Sequence, residues 1–258
     1  MTEVSIIGCG NLGSALITGL SLSGGHEITA CDLDTSALEA VEPYCRTTTT
    51  DPSEAAQSDV VIVAVKPDIV GEVLESLDLS PEQTLVTVAA GVPRAFVQAR
   101  TDATVVRIMP NLAAETGDMA AAVAWDDPDP DVHAILDDLG AFVEIDEELM
   151  DVATALNGSG PAFVFYLLQA MKLAAVDEGM AAEDAEVLAA QTFKGAAETV
   201  LRSDRSVDDL IDAVCSPNGT TIEGMEVLWD SDVQDVIGDA LAAAARRSRE
   251  LAHEVDDE

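Results

Sequence analysis

Six residues, Gly8-Cys9-Gly10-Asn11-Leu12-Gly13, stand between a β-branched run, Val4-Ser5-Ile6-Ile7, and a stretch whose apolar residues keep helical spacing. Few folds accept that order. Glycines permit the tight turn out of a strand, and they let backbone N–H groups at the following helix start approach a pyrophosphate. An opening of this kind belongs to a parallel α/β sheet with a ligand at the carboxyl ends of its strands.

The residues that follow keep to that pattern. Glu3–Gly8, His26–Asp32, Val60–Val65, Thr84–Ala89 and Thr104–Ile108 read as strands, separated by helical stretches. Val60-Val61-Ile62-Val63-Ala64-Val65 is apolar throughout, as expected of a parallel strand buried on both faces. The expected fold class is α/β, with a Rossmann-type doubly wound sheet over residues 1–147. From 148 to 258 the pattern is helical only. Val164, Leu167, Leu168, Met171, Ala174 and Ala175 share one helix face, and Val233, Val236, Ile237, Ala240, Leu241 and Ala244 share another. These alanine-rich stripes serve either as core or as a subunit interface, so an all-α second domain is expected.

The second strand ends at Asp32, nineteen residues beyond Gly13. An acid there hydrogen-bonds the adenosine ribose of NAD and repels the extra phosphate of NADP. No lysine or arginine occurs in Leu33–Tyr44 to receive that phosphate. The cofactor is therefore NADH or NADPH, with NADH favoured by Asp32.

Charge narrows the partners. The chain carries 12 Lys+Arg against 49 Asp+Glu, a formal net charge of −37. Nucleic acid requires a basic footprint, and an anionic membrane surface would repel this chain, so neither is an expected partner. At molar salt the Debye length falls to roughly 3 Å and carboxylate repulsion becomes tolerable. A salt-adapted protein is the preferred reading over an ordinary acidic one. With hydrophobic residues at 48%, the chain can still bury a large core.

No basic segment and cleavage site precede Val4, and no apolar run is expected to reach the ~20 residues of a membrane span. Cys9, Cys31, Cys45 and Cys215 lack metal or redox spacing, and His26, His133 and His253 form no ligand motif. The expectation is a cytoplasmic protein with reduced thiols and no metal. Ser216–Thr221 is a small polar loop ahead of the apolar-periodic segment Ile222–Trp229. Free N–H groups at a helix start suit a carboxylate without a cation, although the loop also reads as a plain helix cap.

Five segments together resemble the pyrroline-5-carboxylate reductase family. They are Gly8–Gly13, Ala64-Val65-Lys66-Pro67, Arg107-Ile108-Met109-Pro110-Asn111, Gly158-Ser159-Gly160-Pro161-Ala162 and Ser216-Pro217-Asn218-Gly219-Thr220-Thr221. They follow the family's order over nearly the whole chain, and the last is the most specific. The closing Arg247-Ser248-Arg249-Glu250-Leu251 is similar to the family's last helix.

The resemblance implies reduction of 1-pyrroline-5-carboxylate to proline with NADH or NADPH, the last step of proline biosynthesis. It implies cofactor contacts from Gly8, Gly10, Asn11, Leu12, Gly13, Asp32, Ala64, Val65, Lys66, Pro67 and Ala89. Ser216, Gly219, Thr220 and Thr221 would hold the substrate, a small molecule, with the Thr221 hydroxyl beside its nitrogen. Gly158–Pro161 would start a helix beneath the nicotinamide, though it reads equally as a proline-initiated helix. Self-association through the helical domain is implied, as a dimer and often a ring of dimers. A protonated imine is already electrophilic, so its reduction requires no metal and no covalent nucleophile.

Three positions depart from the family. Asn218 replaces a usual glycine, Asn157 stands where serine is common, and Asp51 falls about where NADP-using members carry asparagine. Asparagine tolerates positive φ better than most residues. Two rivals remain: a related reductase of a hydroxy acid or another imine, using Lys172 or Lys194, and a nucleotide-binding regulator that has kept the fold.

Overall fold

The computed structural model describes Met1–Asp256. Eight strands form one sheet: β1 Thr2–Ile7, β2 His26–Cys31, β3 Thr47–Thr49, β4 Val60–Val63, β5 Thr84–Thr87, β6 Thr104–Met109, β7 Met119–Ala124 and β8 Gly140–Glu144. Their order is β3-β2-β1-β4-β5-β6-β7-β8. The first six strands run parallel, β7 turns antiparallel to β6, and β8 pairs parallel with β7.

The doubly wound sheet is as expected, and the strand alternation explains its layering. On β1 and β4, Val4, Ile6, Val60 and Ile62 pack into one core, while Ile7, Val61 and Val63 pack into the core on the opposite face. Both faces are therefore apolar, as a buried parallel sheet requires. The helix Asn11–Ser23 covers the first face through Ala15, Leu16, Ile17 and Leu20.

Three strands, β3, β7 and β8, were not expected. Thr47–Thr49 is a three-residue edge strand. Met119–Ala124 is four parts alanine, a residue depleted in strands, so β7 is carried by its neighbours rather than by propensity. Its reversal follows from the short connection between Met109 and Met119, too brief for a parallel crossover.

Two compact units emerge. One comprises Met1–Ser159 together with the chain from Leu241 onward, and the other is Gly160–Ala240. The expected division between residues 147 and 148 falls inside the first unit. Within that unit the end of the last helix, Val233–Asp256, lies against Gly91, where a Cβ would come within 3.0 Å of the Ser248 carbonyl oxygen and 2.9 Å of the Ala252 nitrogen. Ser248 is buried, and its hydroxyl hydrogen-bonds the Asp151 carboxylate at 2.6 Å.

The second unit is helical: Gly160–Asp177, Ala182–Arg202, Val207–Val214, Thr220–Trp229 and the first part of Val233–Asp256. It buries little by itself. The helix Gly160–Asp177 has no buried residue, and Ala182–Arg202 buries only Ala185 and Ala189. Phe165, Tyr166 and Leu173 are all more than half exposed. The stripes expected on these helices are real, yet Val164, Met171, Val236 and Ile237 face solvent in the single chain. The run Glu147–Asp177 is long and apolar enough to cross a membrane by length and composition, and its most apolar 18-residue window has a mean hydropathy of 1.3 with no residue of that window buried. That corrects the expectation that no such run exists. A second copy of the chain is the other solvent that an uncovered apolar helix can have.

Candidate functional site

The register of the parallel strands aligns one row across the sheet: Thr49, Cys31, Ile7, Val63, Thr87 and Arg107. Every strand leaves the sheet on the same side of that row. Asp32, Gly8–Gly13, Ala64–Pro67, Ala89 and Met109–Asn111 therefore come to one edge, although they are far apart in sequence. Ligands of open α/β sheets bind outside the carboxyl ends of the strands, and this is that edge.

The glycine loop is fixed by backbone sterics. Gly8 sits at φ +99°, where a Cβ would lie 2.7 Å from the Ala64 carbonyl oxygen. A Cβ on Gly13 would overlap the Gly8 carbonyl oxygen, so the helix Asn11–Ser23 can start this close to β1 only with glycine there. Gly10 differs, because nothing lies within 4 Å of its would-be Cβ. It caps that helix without a side-chain hydrogen bond, which leaves the helix-start amides open to a ligand. A cleft of about 390 Å³ adjoins them, lined by Cys9, Gly10, Asn11, Ser14, Leu112 and Glu115 among others. Backbone without a side chain, a helix start without a cap and adjacent open space fit a pyrophosphate.

Asp32 holds the loop as well as marking the strand end. One carboxylate oxygen accepts from the Cys9 amide at 2.6 Å and the other from the Asp34 amide at 2.8 Å. Asp51 caps the short helix Pro52–Ala55 by accepting from the Ser53 amide at 2.9 Å. Hydrogen bonds from Ser53 hold its carboxyl below the usual carboxylate range. The thiols report the same negative field. Burial first, and then Asp32, pushes Cys9 up to about 12, while burial, Asp32, Asp51 and Glu54 push Cys31 up to about 11.

Ala64 continues β4 by donating its amide to the Ile7 carbonyl at 2.8 Å. Lys66 is exposed and precedes a single turn, Pro67–Ile69. Ala89 is buried at the end of β5.

Sequence reasoning missed a polar cluster under this edge. Arg107 is 5% exposed and reaches Glu147 at 3.0 Å. The same carboxylate oxygen accepts from the Arg94 amide at 2.7 Å, and the Arg94 guanidinium binds Asp126 at 2.6 Å. Arg107 lies within β6 and Arg94 opens the helix Arg94–Gln98, and nothing local to either residue marks the two as partners of Glu147.

Ser216–Thr221 belongs to the other compact unit. Asn218 has φ +58°, the only positive φ at a non-glycine residue among those described, and asparagine tolerates that region. Gly219 donates its amide to the Ser216 carbonyl at 2.9 Å, and a Cβ on it would collide with the Ser216 hydroxyl. The helix begins at Thr220 rather than Ile222, so Thr220 and Thr221 occupy its first turn, with no side-chain cap at Gly219. Lys172, the candidate catalytic lysine of the rival reading, is ion-paired with Glu186, whose carboxyl it holds low. No group of three or more metal-ligating residues occurs among the described residues.

Comparison with known proteins agrees with both parts. Residues 147–251 match the family model for pyrroline-5-carboxylate reductase dimerisation, and residues 3–91 match that for coenzyme F420-dependent NADP oxidoreductase. The pyrroline-5-carboxylate reductase of Methanosarcina acetivorans is 36% identical, over 96% of this chain and 97% of that one. That of Pseudomonas aeruginosa is 34% identical over 98% of each. Among solved structures, the Plasmodium falciparum pyrroline carboxylate reductase with NADP bound superposes with a TM-score of 0.85, at 26% identity over 97% of this chain and 98% of that one. The Coxiella burnetii enzyme gives 0.86, at 29% identity and the same coverage. With relatives more than 30% identical over nearly the whole of both chains, the chain belongs to the pyrroline-5-carboxylate reductase family.

Proposed function

We propose that this chain reduces 1-pyrroline-5-carboxylate to L-proline with a reduced nicotinamide dinucleotide. The observation that carries the reading is the Ser216–Thr221 loop, whose backbone survives the glycine-to-asparagine departure because Asn218 takes the positive φ. Family membership and the dinucleotide-shaped edge supply the rest.

In this reading the bound cofactor supplies a hydride to the imine carbon. The amides at the start of the helix Thr220–Trp229 bind the substrate carboxylate, which needs no cation in a chain this poor in lysine. The Thr221 hydroxyl orients the imine nitrogen by a hydrogen bond. Gly8, Gly10, Asn11, Leu12 and Gly13 receive the pyrophosphate, Asp32 the adenosine ribose, and Ala64–Pro67 with Ala89 the nicotinamide half. Cofactor binding is assigned to residues 1–147, and substrate binding and assembly to residues 148–258.

The cofactor is NAD(P)H, and we assign the preference to NADH. Asp32 at the end of β2 and Asp51 just past β3 support it, because a carboxylate near the adenosine ribose would repel an extra phosphate. Self-association through residues 147–251 follows from the dimerisation model they match. A dimer covers the exposed apolar helices, and a ring of dimers is the proposed higher assembly. The charge of −37 and four free cysteines support a reducing, salty cytoplasm.

Steady-state kinetics on three variants test the chemistry. A hydrogen bond to a charged group is worth roughly 1.5–3 kcal/mol, so Thr221→Ala should lower kcat/KM by about ten- to two-hundredfold. Lys172→Ala and Lys194→Ala should be mild. Collapse in either lysine variant, with Thr221→Ala near normal, would favour the hydroxy-acid reading instead.

A further inference from the structure

The pairing of β6 with β7 stops at the sheet edge where the nicotinamide half of the cofactor belongs. Arg107, Ile108 and Met109 pair with Ala124, Val123 and Ala122. Two residues on, the next rung would join Asn111 to Ala120, but the chain leaves the ladder at Pro110, which has no N–H to donate. Two asparagine side chains take the groups left behind. Asn111 Oδ1 accepts from the Ala120 amide at 3.3 Å. Asn157 Nδ2 donates to the Met109 carbonyl at 2.6 Å and to the Ala120 carbonyl at 3.0 Å.

Asn157 thus commits its amide group to carbonyls on both strands, and it does so from an unusual backbone. Thr154–Gly158 is a π-helical turn, closed by the Ser159 amide on the Thr154 carbonyl at 2.9 Å. Such turns are rare and gather at functional sites. The next residue, Gly158, also meets Met109, whose sulfur lies 3.3 Å from where a Cβ would be. Met109 stands two residues past Arg107, and Ala89 two past Thr87, from a paired row. The groups Asn157 grips are therefore neighbours of the nicotinamide segment.

We propose that Asn157 is a positioning residue for hydride transfer, locking the Met109-Pro110-Asn111 strand end to the Thr154–Ser159 turn so that the nicotinamide end of the cleft has a fixed floor. The proposal rests on reading the chain as a dinucleotide-dependent reductase. A serine in this place would carry one hydroxyl hydrogen and could not serve two carbonyls. Asparagine is the small side chain that serves both.

The test uses the full-length protein and the variants Asn157→Asp and Asn157→Ser. An ionised aspartate only accepts, so it opposes both carbonyls; protonation returns one donor, and the carbonyls favour that form. Relative to wild type, Asn157→Asp should lose about ten- to a hundredfold in kcat at pH 8 and recover as the pH falls below about 6. Asn157→Ser, keeping one donor, should lose only a few-fold, with no change in relative pH profile. The Kd for NADH, read by nicotinamide fluorescence, should stay within about twofold in both. Wild-type kcat in Asn157→Asp at pH 8 overturns the proposal. So does a loss that tracks the fall in Tm, equal in both variants and flat with pH. If wild type fails to reduce pyrroline-5-carboxylate at all, the functional reading fails separately. The emission of bound NADH then decides the positioning role: a shift in Asn157→Asp at unchanged affinity supports it, and an unchanged spectrum overturns it.

Discussion

The Cys9 amide donates a 2.6 Å hydrogen bond to the carboxylate of Asp32, tying the glycine loop to the end of the neighbouring strand. Asp32 therefore bears on loop rigidity and on cofactor choice together. Wild type should show the higher kcat/KM with NADH. Asp32→Ser should shift the ratio toward NADPH by about tenfold or more, since the lost repulsion and the lost acceptor act in the same direction. A wild-type enzyme that clearly prefers NADPH would contradict this account of Asp32.

Gly10 and Gly13 separate binding from folding. Gly13→Ala places a methyl group on the Gly8 carbonyl, so little folded protein should be recovered. Gly10→Ala has open space and an ordinary φ of −68°. Its Tm should match wild type, while KM for the dinucleotide rises several-fold because the methyl occupies the approach of the pyrophosphate. Equal loss of Tm in both variants would show that the open space at Gly10 is not a ligand path.

The sheet was legible where strands are apolar on both faces, as in Val60–Val63, and illegible where neighbours impose the conformation, as in the alanines of β7. Gly8–Gly13 and Asp32 were legible because the turn and the strand end each require a particular chemistry. The Arg94–Glu147–Arg107 cluster was not, because its members are brought together only by sheet register and a strand-end loop. The π-helical turn around Asn157 has no local pattern either, being held by carbonyls on two other strands. The helical unit was read correctly as apolar, but the face that stays uncovered in one chain is decided by assembly, which a stripe of alanines does not specify.

Glu147 compensates a buried cation. With Arg107 only 5% exposed, Glu147→Ala leaves that guanidinium without its carboxylate. Removing one partner of a buried pair costs about 3 kcal/mol or more, and thermal or urea unfolding should register it. The double variant Glu147→Ala/Arg107→Met should regain much of the loss, because it removes the stranded charge. A double variant as unstable as the single one would mean that packing, not charge, sets the cost.

The raised thiols predict a pH response. Cys9 titrates at about 12 in the folded chain against an ordinary 9.0, so at pH 8 it is almost wholly protonated. Cys9 and Cys31 should resist alkylation at pH 8, and peptide mass analysis should find them unmodified until the protein is denatured. Because folded-state values are raised, their contribution to stability is intact below pH 9.0 and is lost as pH rises toward about 12. Rapid modification of Cys9 at pH 8 in folded protein would show that the loop is not closed over it.

The absorbance of the reduced nicotinamide, followed while 1-pyrroline-5-carboxylate is supplied to the purified enzyme with NADH or NADPH from low salt to molar KCl, decides whether this chain makes proline. Consumption should depend on the imine, yield proline, run faster with NADH and rise with salt as the −37 charge is screened. Bound cofactor with no imine-dependent turnover at any salt concentration would contradict that function.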